Sequence, residues 1–366
     1  MKKILLVSCE GLGRGGVQAV IMSIVRTLHT EFIFDILLFT NDIRAYDNEF
    51  MSYGGQILRI PHYEGSNRLL KRADYYLRGI KTYLKIKKMI REHGPYDVIH
   101  CNNEFESALC VRAAKKFNIP IRIVHSHIIH ENEYNFVRKL LNYFYRKIIL
   151  WNTTNFVGCS LEACESLFGK NQKLMIIPNP YDETKFYYRD KRECKNIILT
   201  QIGRYCSLKN QSFSLEIVKE ILSKYPNVKM NFIGFGDEYL YFMKEKAKEL
   251  DISEHIYYYP ADTDSSVLLG ESSYFLFPSL NEGFGIVLIE AQAVGVKCFV
   301  SSTVPQSTNC GGCVYLDLSK GAKYWAEKIM DDFKYTQGKH SLYDCEKFTS
   351  ENTKKIYKKN YGEELL

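Results

Sequence analysis

Two glutamates eight positions apart could anchor a ligand that carries a diphosphate. Glu282 follows an apolar, strand-like run, Tyr274–Phe277, and stands at the predicted start of a helix, whereas Glu290 is two turns inside that helix. A rise of ~1.5 Å per residue places their backbones roughly 12 Å apart, about the reach of a sugar ring and a ribose joined by a diphosphate. Gly283 and Gly285 open the helix, whose unpaired N–H groups and positive dipole end favour an anion. The segment predicts half of a nucleotide-sugar site.

A structural role for both acids is the alternative. A glutamate near a helix start commonly stabilises the helix dipole. Glu290 is harder to explain in this way, because its neighbours are apolar nearly all round and predict a buried helix. A buried carboxylate needs hydrogen-bond donors. Ribose hydroxyls would supply them, as would a buried arginine or a backbone amide.

A basic turn follows another predicted strand in the same half of the chain. Ile197–Ile202 has the pattern of a strand, and Gly203, Arg204 and Lys209 follow it before a predicted helix. A guanidinium and an ammonium five residues apart could bracket a diphosphate, the first through paired N–H donors and the second as a point charge. The alternative is that Arg204 and Lys209 are exposed basic residues of a loop that binds no ligand. The place at a strand's carboxyl end favours phosphate binding.

A glycine-rich loop follows the first predicted strand and opens a helix. Gly11, Gly13 and Gly16 match the G-x-G-x-x-G spacing, so an NAD(P)-dependent oxidoreductase is an alternative. That fingerprint requires an acid at the end of the second strand to bind a ribose, and Asp42 lies slightly beyond the expected distance. Glycines here would also let the backbone approach any ligand closely, so the loop alone is a weak signal.

Two histidines stand at the end of a predicted strand in the first half. His125 and His127 should project toward a ligand from that position. A histidine there could hydrogen-bond a sugar hydroxyl or help to place an acceptor. Histidines that are satisfied within the fold are the alternative.

Two patterns that suggest a metal are set aside. Asp262 and Asp264 form a D-x-D pair, but Asp264 precedes an apolar run in the position of a helix N-cap. Cys310 and Cys313 form one C-x-x-C pair, without a second pair at zinc spacing, so that a redox or metal role is only the minor alternative for them. No metal site is expected.

The composition is that of an ordinary globular enzyme in a reducing compartment. Of 366 residues, 46% are hydrophobic and 25% charged. No apolar run approaches the ~18 residues that span a bilayer, and the first residues carry too short an apolar core for a signal peptide. Eleven irregularly spaced cysteines do not resemble a disulfide framework. A cytoplasmic protein is expected.

Positive charge is concentrated in the first half. Residues 1–180 hold 25 Lys and Arg against 16 Asp and Glu, a net charge of +9, whereas residues 181–366 hold 24 against 26, a net charge of −2. The segment Arg68–Arg91 carries nine bases and one acid on an amphipathic helical pattern, and Tyr134–Trp151 mixes bases with aromatics. These segments predict contact with an anionic membrane surface or a lipid-linked substrate. Solvated helices on a sheet are the alternative; no nucleic-acid-binding motif is present.

Alternating strand and helix patterns predict two doubly wound domains. The pattern breaks at Ile177–Pro180, and 181–196 reads as a polar linker. Strands separated by helices form parallel sheets, with a site at the carboxyl ends of the strands. The predicted strands are Lys3–Ser8, Ile33–Phe39, Gln56–Ile60, Asp97–His100, Ile121–His125, Phe156–Cys159, Leu174–Ile177, Asn196–Ile202, Val228–Ile233, Ile256–Tyr259, Tyr274–Phe277 and Lys297–Val300.

Several short motifs occur in a specific joint order. They are Gly15-Gly16-Val17-Gln18, His125-Ser126-His127, Cys159-Ser160, Ile177-Pro178-Asn179-Pro180, Gly203-Arg204 with Lys209, Gly234-Phe235-Gly236, and Pro278–Gly285 with Glu290. In this order the chain resembles the family-four retaining glycosyltransferases of GT-B fold, along nearly its whole length. The likeness is greatest to members that build capsular polysaccharide or exopolysaccharide.

The resemblance implies an α/β architecture of two Rossmann-like domains facing across a cleft. Residues 1–180 would form the acceptor-side domain and residues 181–345 the nucleotide-sugar-binding domain. Residues 346–366 would form a helix that crosses back to the first domain.

The resemblance also implies roles for individual residues. Glu282 would contact the donor sugar, Glu290 the ribose, and Arg204 and Lys209 the departing diphosphate, while His125 would contact the sugar. The implied catalytic set is Glu282, His125, Arg204 and Lys209, with His127 on the acceptor side. The donor-binding set is Gly15, Gly16, Gly203, Arg204, Lys209, Tyr258, Tyr259, Pro260, Glu282, Gly283, Phe284, Gly285, Ile286 and Glu290. Backbone amides of Gly16, Gly283, Phe284 and Gly285 would hold the phosphates and the sugar, and the backbone of Tyr258–Pro260 the base.

The expected reaction is transfer of a hexose-type sugar from a nucleotide donor, with UDP as the expected nucleotide, to a lipid-linked oligosaccharide. Neither a cofactor nor a metal is expected, because Arg and Lys can stabilise the leaving charge. The chain would act peripherally at the inner face of the cell membrane. Pro180, where the family often has Gly, affects only linker geometry, whereas Tyr259-Pro260-Ala261 replaces a Gly-bearing turn and leaves base selectivity open. The oxidoreductase and a non-catalytic membrane-surface adaptor are the alternatives.

Overall fold

Two parallel β-sheets, each flanked by helices, organise the chain. The computed structural model describes residues 1–13, 15–60, 68–129, 136–190 and 195–362, with the backbone alone over 68–78 and 136–137. One unit comprises Met1–Pro180 with Ser350–Leu366, and the other Tyr181–Thr349. We call them the N-terminal and the C-terminal unit. The second boundary falls four residues beyond the expected position at residue 345.

The N-terminal unit contains a seven-stranded parallel sheet in the order β3-β2-β1-β4-β5-β6-β7. Its strands are β1 (Lys2–Ser8), β2 (Phe32–Leu38), β3 (Ile57–Arg59), β4 (Val98–Cys101), β5 (Ile121–Ser126), β6 (Asn155–Gly158) and β7 (Leu174–Ile176). Its helices are α1 (Gly16–Leu28), α2 (Asp47–Ser52), α3 (Arg68–His93), α4 (Ser107–Lys116), α5 (Phe136–Asn152), α6 (Leu161–Phe168) and, from the end of the chain, α12 (Ser350–Asn360).

Helices cover both faces of this sheet, and its central strands, such as β1 and β4, are therefore buried on both faces. Ile4 and Leu6 of β1 pack in one hydrophobic cluster, and Leu5 and Val7 pack in the other. This is the period-two alternation of a strand with two covered faces. Tyr357 of α12 joins the cluster of Ile4.

Ion pairs attach α12 to the N-terminal unit. Lys354 and Lys358 of α12 both pair with Glu31, and the Lys354 contact measures 2.9 Å. Glu31 precedes β2, so the C-terminal helix is bound beside the first βαβ unit.

The C-terminal unit contains a six-stranded parallel sheet in the order β10-β9-β8-β11-β12-β13. Its strands are β8 (Ile198–Ile202), β9 (Lys229–Gly234), β10 (Ile256–Pro260), β11 (Tyr274–Phe277), β12 (Lys297–Ser301) and β13 (Cys313–Leu316). Its helices are α7 (Gln211–Leu222), α8 (Asp237–Glu249), α9 (Ser265–Glu271), α10 (Ile286–Val294) and α11 (Gly321–Thr336). The predicted fold class, two Rossmann-like domains, is confirmed.

Three sequence predictions about elements were wrong. β13 was missed, and α10 begins at Ile286 rather than at Gly283, so Glu290 is about one turn inside it. The expected linker is part of the C-terminal unit: Phe186 is 5% exposed, and the Arg189 backbone N–H donates to the Val294 carbonyl over 3.1 Å. One buried aromatic within a polar segment explains why its composition was misleading.

Some predictions lie outside what the structure describes. These are Arg14 within the glycine loop, Tyr134 and Asn135 at the start of the second basic segment, residues 191–194 of the expected linker, and the side chains of residues 68–78.

Candidate functional site

The strand order of the C-terminal sheet brings two of the predicted site loops together. β8 and β11 are neighbours, and the connections from them lead to opposite sides of the sheet. Loops that leave such a switch point at the carboxyl ends of the strands form a crevice in doubly wound folds. The loop after β8 carries Gly203, Arg204 and Lys209, and the loop after β11 carries Glu282 and the glycines of residues 283–285.

Lys209 and Glu282 form an ion pair across this switch point. The Lys209 ammonium contacts Glu282 Oε2 and lies 5.2 Å from the centre of the Phe277 ring. The two side chains are 23% and 17% exposed, so they lie at the surface of a crevice. Gln201 Nε2 donates to the Lys209 carbonyl over 2.7 Å, which fixes the one-turn 3-10 segment that presents the lysine. The predicted donor residues from the two loops therefore meet.

Arg204 precedes Lys209 by five residues, and its side chain is exposed. Its guanidinium lies 5.5 Å from the centre of the Phe235 ring. The Tyr205 N–H donates to the Phe235 carbonyl over 2.7 Å, so the turns after β8 and β9 support each other. An exposed guanidinium held on an aromatic face can rotate toward an anion.

Gly285 shapes the start of α10. It has φ +83° and is the residue before the helix. A Cβ there would lie 3.3 Å from a Phe277 ring atom and 3.4 Å from Glu282 Cγ. Glycine is therefore required both by the left-handed backbone and by the close approach of the Glu282 side chain. Phe284, which is 3% exposed, packs edge-on to Phe348, so only its backbone can face a ligand.

Glu290 is a half-buried carboxylate about one turn inside α10. Burial and neighbouring charges, with no side-chain hydrogen bond among the causes, set the ionisation of this carboxyl. Burial raises its pKa to about 7, with Lys185 opposing the shift and Asp182 adding to it. The half-buried position is more open than the fully buried helix predicted from the sequence. A half-buried carboxylate is suited to accept hydrogen bonds from ligand hydroxyls.

A pocket of about 600 Å³ lies at the carboxyl ends of β8 and β9. It is lined by the turns that follow β8 and β9, including Tyr205 and Gly236. The Tyr205 hydroxyl lies 3.2 Å from the Tyr259 carbonyl, which connects the pocket to β10. The ring of Tyr258 stacks on Phe232 with centres 5.8 Å apart, so the side chain of Tyr258 is part of the core. Tyr259 and Pro260 end the same strand.

In the N-terminal unit, the glycine loop leads directly into α1. Gly15 is the residue before the helix and Gly16 its first residue, and neither has a side chain that could cap the first-turn N–H groups. Asp42, the acid that an NAD(P) site would need, is an exposed residue paired with Arg44. An exposed, paired acid beyond the end of β2 does not favour the oxidoreductase alternative.

His125 and His127 are buried in the N-terminal unit with a third histidine. His125 is 0% and His127 6% exposed, and their ring centres are 4.0 Å apart. His100 Nε2 lies 3.3 Å from His125 Nδ1, and Asn102 Oδ1 lies 3.3 Å from His127 Nε2. Desolvation lowers the pKa of His127 to about 3 and that of His125 well below its usual range. Both rings are therefore neutral at pH 7.

Of the two patterns that suggested a metal, the D-x-D pair includes a helix cap. Asp264 Oδ1 accepts from the Ser266 N–H over 3.0 Å and caps α9, as predicted. Cys310 and Cys313 are free thiols. Among the described residues, no group of three or more His, Cys, Asp or Glu side chains could hold a metal ion.

The structure adds residues that sequence reasoning missed. Asp182 and Lys185 set the charge environment of Glu290 from the segment expected to be a linker. His100 and Asn102 contact the two predicted histidines from β4 and the residue after it. A polar residue at the carboxyl end of β4, the strand that pairs with β5, was the available signal.

Exposed apolar and basic side chains share the surface of α5. Tyr143, Phe144 and Trp151 are 55%, 54% and 73% exposed, and Lys139 and Lys147 are also exposed. In the ranges that the structure covers, no helix has the length and apolar character needed to cross a bilayer.

Comparisons with known proteins cover most of the chain. The family model "Glycosyltransferase Family 4" matches residues 14–185, and "Glycosyl transferases group 1" matches residues 185–308. The putative glycosyltransferase EpsF of Bacillus subtilis is 27% identical over 87% of this chain and 85% of its own. CapH of Staphylococcus aureus, a capsular polysaccharide biosynthesis glycosyltransferase, is 28% identical over 76% of each chain.

The names of one further relative and of one solved structure specify a substrate or a ligand. A UDP-Gal:α-D-GlcNAc-diphosphoundecaprenol α-1,3-galactosyltransferase of Escherichia coli is 24% identical over 64% of each chain. The crystal structure of Anabaena HepE in complex with UDP superposes with a TM-score of 0.73, at 13% identity, over 99% of this chain and 96% of that one. This likeness concerns the fold.

Proposed function

We propose that this chain, which belongs to the glycosyltransferases matched by the family 4 and group 1 models, transfers a hexose from a UDP-sugar to a lipid-linked oligosaccharide. The name of CapH supports a role in the synthesis of a surface polysaccharide. The transfer retains the anomeric configuration and requires no metal ion. The family membership was expected from the sequence, and the glycosyltransferase assignment is confirmed.

The Lys209–Glu282 ion pair is the observation that carries the proposal. Without a ligand, each charge satisfies the other at the mouth of the switch-point crevice. A bound diphosphate competes for the ammonium, because a phosphate oxygen is also an anionic partner for lysine. The Glu282 carboxylate is then released to accept hydrogen bonds from donor-sugar hydroxyls. One contact thereby couples the leaving group to the sugar.

The remaining donor contacts follow from the same unit. Glu290 accepts hydrogen bonds from the ribose hydroxyls, and Arg204 turns from Phe235 toward the diphosphate. Backbone N–H groups of residues 283–286 lie at the start of α10, where the helix dipole favours negative charge. The backbone of Tyr258–Pro260 receives the base. The UDP named for the Escherichia coli relative and for HepE supports uridine as that base.

Further substrate contacts are proposed for residues of the N-terminal unit. The N–H groups of Gly15 and Gly16 approach the phosphates, His125 contacts the sugar and His127 lies on the acceptor side. We propose front-face attack, because the sequence reveals no clearly placed carboxylate nucleophile among the residues that the structure describes and neither histidine is charged at pH 7. The acceptor hydroxyl then attacks the anomeric carbon from the side of the leaving UDP, and its proton passes to a diphosphate oxygen. Arg204 and Lys209 stabilise the negative charge that develops.

A lipid-linked acceptor is consistent with the surface of α5. Exposed aromatics beside lysines are the composition of a helix that lies in the headgroup region of an anionic bilayer. The diphosphoundecaprenol acceptor named for the Escherichia coli relative supports the same class of substrate. We therefore propose that the protein works peripherally at the inner face of the cell membrane, with α5 against the lipid.

A donor and acceptor screen tests the function. The protein is incubated with a panel of UDP-hexoses and a polyprenyl-diphosphate-linked saccharide, with and without EDTA, and UDP release is measured. The proposal expects acceptor-dependent release with at least one donor, unaffected by EDTA. The product linkage should keep the donor's anomeric configuration by NMR. UDP release that depends on added metal, an inverted linkage, or no turnover with any donor would contradict it.

Lys246 offers a matched control for Lys209, because it forms a partly exposed ion pair with Glu216 in the same unit. Lys209→Met should lose turnover, whereas Lys246→Met should retain it.

A further inference from the structure

The two neutral histidines of the N-terminal unit are each held by a polar neighbour that determines which ring nitrogen carries the proton. The neighbour of His125 is His100, which in turn contacts Tyr361 near the chain's C-terminus. The neighbour of His127 is Asn102. All of these residues are at most 6% exposed.

Tyr361 sets the direction of the first chain of contacts. Its hydroxyl lies 2.8 Å from His100 Nδ1, the one hydrogen-bond partner of that hydroxyl among the described residues. A buried O–H group must donate to avoid a large desolvation cost. It therefore donates to Nδ1, which carries no proton. Desolvation lowers the pKa of His100 to about 3, so the neutral ring carries its proton on Nε2.

The proton on His100 Nε2 determines the tautomer of His125. His100 Nε2 lies 3.3 Å from His125 Nδ1, so the first donates and the second accepts. His125 is neutral, and its own proton is therefore on Nε2. That nitrogen is buried and has no hydrogen-bond partner within the part of the chain that the structure describes. His125 thus presents an unused N–H donor.

Asn102 determines the tautomer of His127 independently. Its amide nitrogen lies 3.3 Å from the His100 carbonyl and 3.5 Å from the Val7 carbonyl, so the nitrogen donates to the backbone. The amide oxygen faces His127 Nε2 at 3.3 Å and accepts from it. His127 Nδ1 is left as a bare acceptor, buried and without a partner among the described residues.

We propose that Tyr361, acting through His100, and Asn102 are positioning residues that hold His125 as an N–H donor and His127 as a nitrogen acceptor for sugar hydroxyls. A hydroxyl group both donates and accepts, so one nitrogen of each kind suits a polyhydroxylated ligand. This inference rests on the proposed function for its ligand, but the tautomers themselves do not. The C-terminal end of the chain thereby controls a group in the active site.

Tyr361→Phe tests the relay, with Tyr357→Phe as a matched control. The Phe variant keeps the ring that packs against Phe32, with centres 5.3 Å apart, and removes only the O–H donor. Tyr357 stacks on Tyr361 with centres 6.0 Å apart, and its buried hydroxyl has no hydrogen-bond partner in the described ranges. Its removal therefore takes no donor from the relay.

The readout is 15N NMR of the full-length protein labelled at histidine. Wild type and Tyr357→Phe should show His125 protonated at Nε2 alone. In Tyr361→Phe, a fraction of His125 should be protonated at Nδ1, because His100 is then free to adopt the other tautomer. Unchanged His125 tautomers in Tyr361→Phe would overturn the inference. So would an Nδ1-protonated His125 in the wild type.

Turnover separates this inference from the proposed function. With an active donor and acceptor, kcat in Tyr361→Phe should fall about five- to tenfold, the size expected for one misdirected neutral hydrogen bond, while Tyr357→Phe stays at the wild-type value. A tautomer change in a protein that turns over no UDP-sugar would refute the function and leave the relay standing. A tautomer change with unaltered kcat and KM would refute the positioning role.

Discussion

The ammonium of Lys209 and the carboxylate of Glu282 contact each other across the point where the order of the C-terminal sheet reverses. Each comes from the loop after one of the two central strands, β8 and β11. Their side chains are separated by 73 positions in the sequence and brought together by the parallel pairing of those strands. A diphosphate attracts a cation, and a sugar hydroxyl can donate a hydrogen bond to a carboxylate. An ion pair that separates on binding therefore serves both groups.

The affinity for UDP should depend on the ionisation of Glu290. Burial raises the pKa of this carboxyl to about 7, so it loses its proton as the pH rises through neutrality. The ionised form accepts hydrogen bonds from both ribose hydroxyls, so binding should strengthen from pH 6 to pH 8, by up to about tenfold per pH unit below the pKa. Calorimetric titrations with UDP at several pH values measure this.

Glu290→Gln is the control for that pH dependence. The terminal phosphate of UDP itself titrates near pH 6, and the Gln variant retains only that contribution. A steeper pH profile in the wild type than in the variant supports ribose binding by Glu290, and identical profiles would refute it.

Gly285→Ala should impair turnover beyond its effect on stability. The left-handed backbone costs alanine about 1–2 kcal/mol, and the new Cβ also presses on Phe277 and Glu282. Gly54, at φ +84°, has open space where a Cβ would be, so Gly54→Ala has a backbone cost without a steric contact. Thermal unfolding should show a loss in both variants, while kcat/KM for the UDP-sugar should fall only in Gly285→Ala. Equal kcat/KM in the two variants would argue against a site at this turn.

Replacing exposed aromatics of α5 should weaken membrane binding. Phe144→Ser with Trp151→Ser removes apolar area that would be buried among lipid headgroups. In sedimentation with vesicles of phosphatidylglycerol and phosphatidylcholine, several-fold less of the double variant should bind to the vesicles. Added salt should weaken vesicle binding by the wild type. Tyr335→Ser is the control, because Tyr335 is 88% exposed on α11 of the other unit. Equal partitioning of the two variants would exclude α5 as the lipid-facing helix.

The sequence predicted what is local and periodic. Strands such as β11 were found at their observed bounds, because an apolar run of four residues lies between polar turns. The loops with Lys209 and Glu282 were found because their charges follow such strands. β13 was missed, since three of its four residues are only half-buried and its pattern is weak.

Long-range contacts had no local signal. His100 and Tyr361 are 261 residues apart, and their hydrogen bond depends on α12 packing on the N-terminal unit. Likewise, Lys185 and Asp182 reach Glu290 only because Phe186 anchors the segment expected to be a linker. Tertiary packing, rather than propensity, decides such contacts.

The most direct test of the Lys209 site is a calorimetric comparison of UDP and uridine binding. Lys209→Met should lower the affinity for UDP by at least about tenfold, the size of a lost charge-assisted hydrogen bond, and leave the affinity for uridine unchanged. Lys246→Met should bind both ligands with the affinity of the wild type. Wild-type affinity for UDP in Lys209→Met would contradict the account.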